Sequence, residues 1–352
     1  MVDGVKLTTY FGERDRVGGR FLADALAELY AAHDVRTSCV LRGVEGFGAR
    51  HRLQTERLLT LSEDLPLVSV AVDARERIER LADDVAVLQP GGLVTLERAR
   101  LLDSPLPAAE ALPPVARAPA GGPRAGAGDA LKLTLWVGRQ ARAADGRPAH
   151  VAVVDALRGA GVDGATVLLG VDGTIRGARE RARFFARNGA VPLMIVAIGE
   201  TERIAAALPR LSALQPQPLA TLERVRVCKR DGVRLAPPHS EAEADGMWQK
   251  LTVVASERAR HDGAPLHAAI VRRLREEGAA GATSLRGTWG YHGDHAPHGD
   301  RFFALARRAP VLTVAIDRPL QAERWFSLID AATARTGLVT SELVPAFVSP
   351  AS

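Results

Sequence analysis

The chain has 352 residues, of which 47% are hydrophobic and 25% are charged, and its formal net charge is +5 at pH 7. This composition is ordinary for globular domains, and the small net charge with 5% aromatic residues disfavours a nucleic-acid-binding protein. No apolar stretch approaches the roughly 18–20 residues of a transmembrane helix, and the first residues lack a signal-peptide pattern. Because Cys39 and Cys228 are its two cysteines, we expect buried thiols in a reducing, cytoplasmic setting.

The first hundred residues predict a strand–helix–strand–strand–helix–strand order. Apolar runs predict four strands, over 7–11, 35–41, 67–72 and 93–101. One apolar stripe over 21–30 predicts the first helix, and another over 78–88 predicts the second. This βαββαβ order is that of the ferredoxin-like α+β fold, in which the helices cover one face of an antiparallel sheet.

The same order returns twice along the chain. Each copy has a Lys that opens its first strand, a Pro 60 residues later and a Glu in its last strand. These markers are Lys6, Lys132 and Lys250, then Pro66, Pro192 and Pro310, then Glu97, Glu223 and Glu342. Recurrence at fixed offsets indicates three tandem copies of one domain.

The second and third copies predict the same elements. In the second, we expect helices over 148–160 and 201–214 and strands that end at Leu169 and Val227. In the third, a helix carries the apolar stripe of 266–274, a second helix covers 318–336, and the last strand covers 338–347.

The predicted domains are residues 1–102, 130–228 and 248–348. The segments between them, 103–129 and 229–247, are rich in Pro, Gly or acidic residues and are predicted to be flexible linkers. Each ferredoxin-like sheet has one face that its own helices leave open. We therefore expect the three open faces to turn inward in a closed internal pseudo-trimer; the alternative is three independent domains.

Several segments carry a resemblance to a known family. Residues 40–48 read VLRGVEGFG and residues 61–66 read LSEDLP; the second copy has VDG at 171–173 and RFFARN at 183–188; the third has PHGDR at 297–301 and GLVTSE at 337–342. With these segments the chain resembles the PII-like family of domain of unknown function 190, across nearly all of its length outside the linkers.

The resemblance implies the fold of PII signal-transduction proteins, which are trimers of this βαββαβ unit. Those proteins bind small effectors, often adenine nucleotides, in clefts between subunits, and a long loop between the second and third strands contacts the partner. Here these loops are 43–65, 170–191 and 287–309, so one monomeric chain is expected to act as a whole trimer. Members of the family also resemble components found beside CrcB-type fluoride channels, which suggests a membrane-protein partner.

The three loops supply candidate ligand-binding residues. Glycines let backbone N–H groups approach an anion, and arginines bind phosphate bidentately. On these grounds the first loop contributes Arg42, Gly43, Glu45, Gly46, Gly48, Arg50 and His51; the second contributes Asp172, Gly173, Arg176 and Arg179; the third contributes Arg286, Gly287, His298, Asp300 and Arg301. The alternative is that these residues form mobile turns and solvated basic faces.

The third loop also suggests a metal site. His292, His295 and His298 lie close together in the sequence, and imidazole is a common ligand of zinc and other transition metals. The alternative is that these histidines are neutral and form ordinary hydrogen bonds in the loop.

The sequence favours a regulatory protein over an enzyme, because no nucleophile–base–orienter set recurs across the three copies. A cytoplasmic PII-like sensor that binds a small anionic effector, such as an adenine nucleotide, is the first interpretation. A ligand-free adaptor and a metal-binding protein similar to the CutA group are the alternatives. Since the three loops differ in charge and aromatic content, we expect tight binding at one or two clefts at most.

Overall fold

A computed structural model describes residues 2–48, 52–55, 64–89, 91–102, 106, 128–175, 178–181, 191–293, 297–299 and 309–348, with the backbone alone for 178–181 and 298–299. Within these ranges the chain is an α+β protein of three tandem repeats. No helix in these ranges is long and apolar enough to cross a membrane.

Repeat 1 has the predicted order of elements. They are β1 (Val2–Gly12), β2 (Arg16–Val17), β3 (Arg20–Phe21), α1 (Leu22–Ala32), β4 (Thr37–Arg42), β5 (Glu45–Phe47), β6 (Gln54–Thr55), β7 (Pro66–Ala74), α2 (Arg75–Leu88) and β8 (Leu93–Leu102). Side chains alternate along β1, so Leu7 and Phe11 pack with the apolar stripes of α1 and α2 while Lys6, Thr8 and Tyr10 face the opposite side of the sheet.

Repeats 2 and 3 repeat this order. Repeat 2 contains β9 (Asp129–Gly138), α3 (Ala149–Gly159), β10 (Gly164–Ile175), β11 (Ala178–Arg181), β12 (Pro192–Gly199), α4 (Thr201–Ser212) and β13 (Leu219–Arg230). The connection to repeat 3 contains β14 (Val233–Arg234) and α5 (Glu241–Ala244). Repeat 3 contains β15 (Trp248–Ser256), β16 (Arg260–His261), β17 (Ala264–Pro265), α6 (Leu266–Glu276), β18 (Ala282–Arg286), β19 (Trp289–His292), β20 (His298–Gly299), β21 (Pro310–Asp317), a 3-10 turn (Pro319–Gln321), α7 (Ala322–Ala332), β22 (Leu338–Val344) and β23 (Ala346–Val348).

The four long strands have the same antiparallel arrangement in each repeat. The first strand lies between the last strand and the third, and the third pairs with the second. The orders are β8–β1–β7–β4, β13–β9–β12–β10 and β22–β15–β21–β18. Two helices per repeat pack on one face of each sheet and form a separate apolar core there.

The second strands join the repeats in cyclic order. The end of β10, Gly170–Ile175, pairs with β4 of repeat 1. In the same manner β19 of repeat 3 pairs with the start of β10, and β5 of repeat 1 pairs with β18 of repeat 3. Each repeat thus adds a short strand to a neighbour and accepts one from the other neighbour.

The last strands also pair cyclically. The end of β8 pairs with the start of β13, and the end of β13 pairs with the start of β22. The short strand β23 after β22 then pairs with the start of β8. As a result, the inner faces of all three sheets share one apolar core, to which the third strands contribute Val68, Val70 and Val72, then Met194, Val196 and Ile198, then Leu312, Val314 and Ile316.

Two predicted element bounds need correction. Strand β10 continues to Ile175, beyond the predicted end at Leu169, because its second half pairs with another repeat. The second helix of repeat 3 is shorter than 318–336: it covers Ala322–Ala332 and follows a 3-10 turn that contains Pro319. Tertiary pairing and proline geometry, which local periodicity does not report, cause these differences.

The predicted linker 229–247 is largely ordered. Asp231 and Gly232 have positive φ angles of 47° and 86° and form the two-residue turn of the β13–β14 hairpin. Further along, Ser240 and Glu243 form a capping box that begins α5. The sequence contains both the Asp-Gly turn and the capping box, but the proline and acidic content of the segment led to the prediction of a flexible linker. Most of the other predicted linker, 103–129, lies outside the described residues.

Candidate functional site

The two charged markers of each repeat face each other on neighbouring strands. Lys6 lies directly opposite Glu97 in the β1–β8 register, and Lys132–Glu223 and Lys250–Glu342 are the equivalent pairs. Two residues away, Thr8 lies opposite Thr95, and the same holds for Thr134–Thr221 and Thr252–Thr340. Since residues two apart share a sheet face, every repeat presents one Lys, one Glu and two Thr to the common core.

The six charged side chains form a buried ring across the three repeats, which we call the Lys–Glu ring. Lys6 Nζ lies 2.7 Å from Glu97 Oε2 in its own repeat and 2.7 Å from Glu223 Oε2 in the next. Lys132 Nζ lies 2.9 Å from Glu223 Oε2 and also contacts Glu342 Oε1 of repeat 3. Lys250 Nζ of repeat 3 lies 2.9 Å from Glu97 Oε2 of repeat 1, so these contacts connect all three repeats.

Glu97 and Lys132 keep their charges although both side chains are buried. Burial disfavours the carboxylate of Glu97, but the ammonium groups of Lys250, Lys6 and Lys132 outweigh burial and hold its pKa well below the usual range. Burial is likewise outweighed at Lys132, where the carboxylates of Glu223, Glu342 and Glu97 raise the ammonium pKa. Three positive and three negative charges cancel, which is the condition under which buried charges are tolerated.

The three glutamates alone have the spacing of a metal site, but their partners contradict that interpretation. One ligand atom from each of Glu97, Glu223 and Glu342 lies within 4.8 Å of the others. Three ammonium groups already neutralise these carboxylates at hydrogen-bond distance. A cation would have to displace them, so the donor set fits lysine and not a metal ion.

Cavities lie on both sides of the ring. The inner cavity, of about 60 Å³, contains Tyr10 and the three lysines in its wall. The outer pocket has a volume of about 570 Å³. Its wall includes Asp3, near the start of β1. Glu342 borders both spaces, and the walls of both include residues from all three repeats.

A repeated Gly-x-x-Gly pattern lies where the second strands leave their own sheets. It occupies Gly43–Gly46, Gly170–Gly173 and Gly287–Gly290. A Cβ on Gly43 would come within 2.7 Å of Pro66 Cγ, one on Gly170 within 2.7 Å of the Pro192 carbonyl oxygen, and one on Gly287 within 2.7 Å of the Pro310 carbonyl oxygen.

The second glycine of each pair meets the neighbouring repeat. A Cβ on Gly46 would lie 2.8 Å from the Ala282 carbonyl oxygen, and one on Gly173 would lie 2.3 Å from the Ser38 carbonyl oxygen. Glycine is therefore required because two backbones approach closely at these positions.

The chain matches the model of one known protein family three times. The profile of family DUF190, described as an "Uncharacterized ACR", matches residues 4–101, 130–227 and 248–346. Each match contains one Lys and one Glu of the Lys–Glu ring. The chain belongs to the DUF190 family. The recognition of three tandem DUF190 domains from the sequence is thereby confirmed.

In the first loop of DUF190 domain 1, several residues predicted to bind an anion contact another domain. Gly43 and Gly46 serve the close approach between domains, whereas a Cβ added at Gly48 would meet no heavy atom of the described residues within 4 Å. Glu45 is only 3% exposed, and its Oε1 lies 3.3 Å from Arg272 Nε of domain 3. Burial raises the pKa of Glu45, and Arg272 opposes that shift. Glu45 therefore belongs to the interface between DUF190 domains 1 and 3.

In DUF190 domain 2, Asp172 and Gly173 also lie in the interface. Both belong to the part of β10 that pairs with β4, and Asp172 is 6% exposed and accepts a hydrogen bond from the Gly173 backbone N–H. The sequence placed them in a loop because the partner strand comes from another domain. Arg176 lies outside the described residues, and Arg179 is described only by its backbone, in β11.

Two predicted arginines occupy equivalent positions in DUF190 domains 1 and 3. Arg42 Nη2 lies 2.9 Å from Glu13 Oε2, and Arg286 Nε lies 2.9 Å from Glu257 Oε1. Immediately after each arginine, the chain reaches the neighbouring domain, where Val44 N donates to the Ser284 carbonyl and Thr288 N to the Val167 carbonyl. Domain 2 has Leu169 at the arginine position. The arginines thus flank two of the three inter-domain boundaries.

The predicted histidine cluster is described only at His292. Its Nε2 lies 2.9 Å from Asp231 Oδ1, so the imidazole of His292 connects domain 3 to the turn that follows domain 2. His298 is described by its backbone alone, and His295, Asp300 and Arg301 lie outside the described residues, as do Arg50 and His51. The metal interpretation of these histidines stays a prediction.

The Lys–Glu ring is the buried inter-domain element that the sequence interpretation missed. Its six residues were recognised as repeat markers, with no role assigned. A signal was available, because a charged side chain that recurs three times inside an apolar strand requires a buried partner of opposite charge.

Proposed function

We propose that this chain is a PII-like regulatory protein whose three ferredoxin-like DUF190 domains act as an internal pseudo-trimer. In this proposal, a small anionic effector binds between domains, and the segments 43–65, 170–191 and 287–309 control a partner protein. The observation that carries the proposal is the cyclic strand pairing, in which the first residues of each segment add to the sheet of a neighbouring domain. An effector that changes the contact between two domains therefore changes the position of the first residues of one of these segments.

The arrangement of charge supports binding at two of the three boundaries. Arg42 and Arg286 lie beside residues of a neighbouring domain and are paired with the carboxylates of Glu13 and Glu257. A phosphate group can replace such a carboxylate, because guanidinium binds either anion in the same bidentate geometry. Leu169 cannot do so in domain 2, which agrees with the expectation of one or two tight clefts.

The class of effector and partner follows from the family resemblance. An adenine nucleotide is the first effector to test, and a membrane protein such as a CrcB-type fluoride channel is the first partner, contacted from the cytoplasm. The proposal includes no catalytic step.

The experiment is a calorimetric titration of the full chain with ATP, ADP, AMP and cyclic AMP. We expect binding of at least one nucleotide, and at least tenfold weaker binding by the Arg42→Ala/Arg286→Ala double variant, because a charge-assisted contact contributes about 1.5–3 kcal/mol. Arg80→Ala is the matched control, since Arg80 lies on α2 and its hydrogen bond, to the Glu76 carbonyl oxygen, stays within that helix.

Equal nucleotide binding by the double variant and the control contradicts the assignment of these arginines. If none of the four nucleotides binds, the effector proposal fails for this class and the ligand-free adaptor becomes the better account. Elemental analysis of untagged protein then separates the adaptor from a CutA-like metal-binding protein, which requires about one bound metal ion per site.

A further inference from the structure

A half-buried histidine accompanies the proposed anion site at Arg286. His267 lies in the first turn of α6, and this helix packs on β18, the strand that Arg286 ends. We propose that His267 and Arg260 make this boundary, between DUF190 domains 3 and 1, a tighter anion site than the one at Arg42. The group that it takes is compact and doubly charged, as a terminal phosphate is. The inference rests on the proposed function for its location, and it adds two binding residues and the charge of the ligand.

The surroundings of His267 are positive. Burial, followed by the guanidinium groups of Arg286, Arg260 and Arg272, lowers the pKa of His267 to about 4. These three groups come from β18, from the β16–β17 hairpin and from α6 itself. Among the described residues, no carboxylate pairs with either nitrogen of the imidazole. Three cationic groups therefore surround a histidine that has no anionic partner in this part of the chain.

Two of the three arginines have carboxylate partners, and the third does not. Arg286 Nε lies 2.9 Å from Glu257 Oε1, and Arg272 Nε lies 3.3 Å from Glu45 Oε1 of domain 1. Arg260 instead donates from Nη1 to two backbone carbonyl oxygens just before its own hairpin, at 2.9 and 3.2 Å. These bonds orient the exposed guanidinium but leave its positive charge without a counter-charge among the described residues. An added anion supplies that counter-charge.

The first helices of the three domains differ at the position of His267. It is the second residue of α6, and the second residues of α1 and α3 are Ala23 and His150. Burial and one arginine, Arg139, lower the pKa of His150, whereas three arginines act on His267. The imidazole is thus absent from domain 1, and the imidazole of domain 2 has a less positive environment.

The arginine of the hairpin recurs in all three domains. Arg16, Arg142 and Arg260 each donate from Nη1 to a backbone carbonyl oxygen nearby in the chain, at 2.9 Å. Domain 1 combines this arginine with Arg42 but lacks the histidine, and domain 2 has the histidine but has Leu169 at the position of Arg42 and Arg286. Domain 3 combines all three side chains, so we assign the tighter site to its boundary.

A compact dianion fits this combination of groups. Arg260 offers one positive charge, and His267 becomes a second cation when an anion approaches, because a nearby negative charge raises the pKa of an imidazole. Two positive charges then match the two negative charges of a terminal phosphate. Binding should therefore be accompanied by uptake of a proton at His267.

Inorganic pyrophosphate is the probe, because it carries the charge of a phosphate ligand and no nucleoside. By isothermal titration calorimetry of the full chain at pH 6, we expect it to bind, and to bind Arg260→Ala/His267→Ala at least about tenfold more weakly, the effect of lost charge-assisted hydrogen bonds. The matched control is Arg142→Ala/His150→Ala, which removes the equivalent side chains from domain 2 and should bind pyrophosphate as the wild type does. Thermal unfolding compares the stability of the two double variants.

Single variants compare the two boundaries. Because Arg260 and His267 add to Arg286 and not to Arg42, we expect Arg286→Ala to weaken pyrophosphate binding more than Arg42→Ala does. The reverse order overturns the ranking of the two sites.

A further measurement isolates the charge of His267. Titrations at pH 6 in two buffers with different ionisation enthalpies, MES and bis-tris, report how many protons are taken up on binding. We expect the wild type to take up more protons per pyrophosphate than His267→Gln, whose amide donates a hydrogen bond but is not protonated. Equal proton uptake overturns the role assigned to His267, because a merely structural histidine would give that result.

The proposal as a whole is overturned if millimolar pyrophosphate does not bind, or if Arg260→Ala/His267→Ala binds it like the wild type. An equal loss in the domain 2 control overturns the assignment to domain 3. Nucleotide binding that depends on Arg42 and Arg286, without binding of pyrophosphate, refutes this inference and leaves the proposed function intact. Pyrophosphate binding that depends on His267, without binding of any nucleotide, supports the inference and refutes the nucleotide proposal.

Discussion

The ammonium group of Lys6 lies 2.7 Å from Glu223 Oε2, although 217 residues separate the two along the chain. Lys6 belongs to the first DUF190 domain and Glu223 to the second, and both side chains are almost fully buried. The contact forms only when two domains present the same faces of their sheets to each other. The contact therefore depends both on the strand arrangement within each domain and on the assembly of the three domains.

Removal of one carboxylate from the ring should destabilise the whole protein. Glu97 Oε2 lies 2.7, 3.5 and 2.9 Å from Lys6, Lys132 and Lys250 Nζ, respectively. Because Glu97→Gln leaves a buried positive charge uncompensated, we expect the free energy of unfolding to fall by about 3–5 kcal/mol, as measured by denaturant unfolding.

A compensating substitution tests the cause of that loss. Among the described residues, Glu97 is the one carboxylate within 4.0 Å of Lys250 Nζ, so Lys250→Met restores the charge balance of Glu97→Gln. We expect the double variant to regain at least half of the lost stability. If it is less stable than Glu97→Gln, charge balance does not explain the ring. Glu28→Gln, in an exposed pair with Arg20, is the control and should have little effect.

Two glycines of the first loop should differ sharply when replaced by alanine. A Cβ at Gly46 comes within 2.8 Å of the Ala282 carbonyl oxygen of domain 3, whereas a Cβ at Gly48 meets no heavy atom within 4 Å in the part of the chain that the structure describes. We expect Gly46→Ala to lower the free energy of unfolding by about 1–3 kcal/mol and Gly48→Ala to change it little. Equal stability of the two variants would argue that Gly46 serves a ligand and not the inter-domain contact.

A half-buried histidine predicts acid sensitivity. His239 Nδ1 lies 2.8 Å from Ser341 Oγ, and burial, aided by Arg226, lowers the pKa of His239 to about 4. The unfolded chain takes up a proton near pH 6.5, which the folded protein accepts only near pH 4. Above about pH 6.5, His239 is neutral in both states and does not lower the free energy of unfolding. As the pH falls from about 6.5 towards 4, protonation of the unfolded chain lowers that free energy progressively.

The substitution His239→Asn keeps a side chain that can bond Ser341 but does not titrate. We expect its stability to fall less steeply than that of the wild type between pH 6.5 and 4, in denaturant unfolding at a series of pH values. An unchanged slope would show that other groups, such as His267, whose pKa burial also lowers to about 4, account for the whole effect.

Glu45 and Glu97 should show opposite dependence on pH. Burial raises the pKa of Glu45, so its effect on stability is favourable at low pH and is lost as the pH rises through the folded pKa. The lysines lower the pKa of Glu97, so its contribution is present above the unfolded pKa and is lost in acid. From pH 5 to 8, the free energy of unfolding of Glu45→Gln should rise relative to that of the wild type, while that of Glu97→Gln should stay below it. A Glu45→Gln variant whose deficit grows with pH contradicts this account.

The sequence predicted the repeats and their elements because the evidence for them is local or periodic. Lys6, Pro66 and Glu97 recur at fixed offsets, and the apolar stripes of α1 and α2 follow the helical period. These features depend on one domain at a time, so the bounds of most strands and helices agreed within a few residues.

The contacts between domains could not be read in the same way. Asp172 and Gly173 are polar and flexible in sequence terms, and only the partner strand β4 makes that segment a strand. Glycine also permits either an approach to phosphate or an approach to another backbone, and the sequence cannot distinguish these two uses. The ring residues were visible as markers, but their pairing depends on which domains meet.

The central claim is that the three DUF190 domains form one assembly held by contacts between domains. The most direct test is a specific protease site placed within 107–127, between the first two domains, followed by cleavage and size-exclusion chromatography with light scattering. The account predicts that the two fragments elute together with the mass of the intact chain and separate when Glu97→Gln weakens the ring in high salt. Fragments that separate at once, each folded and monomeric, would contradict it.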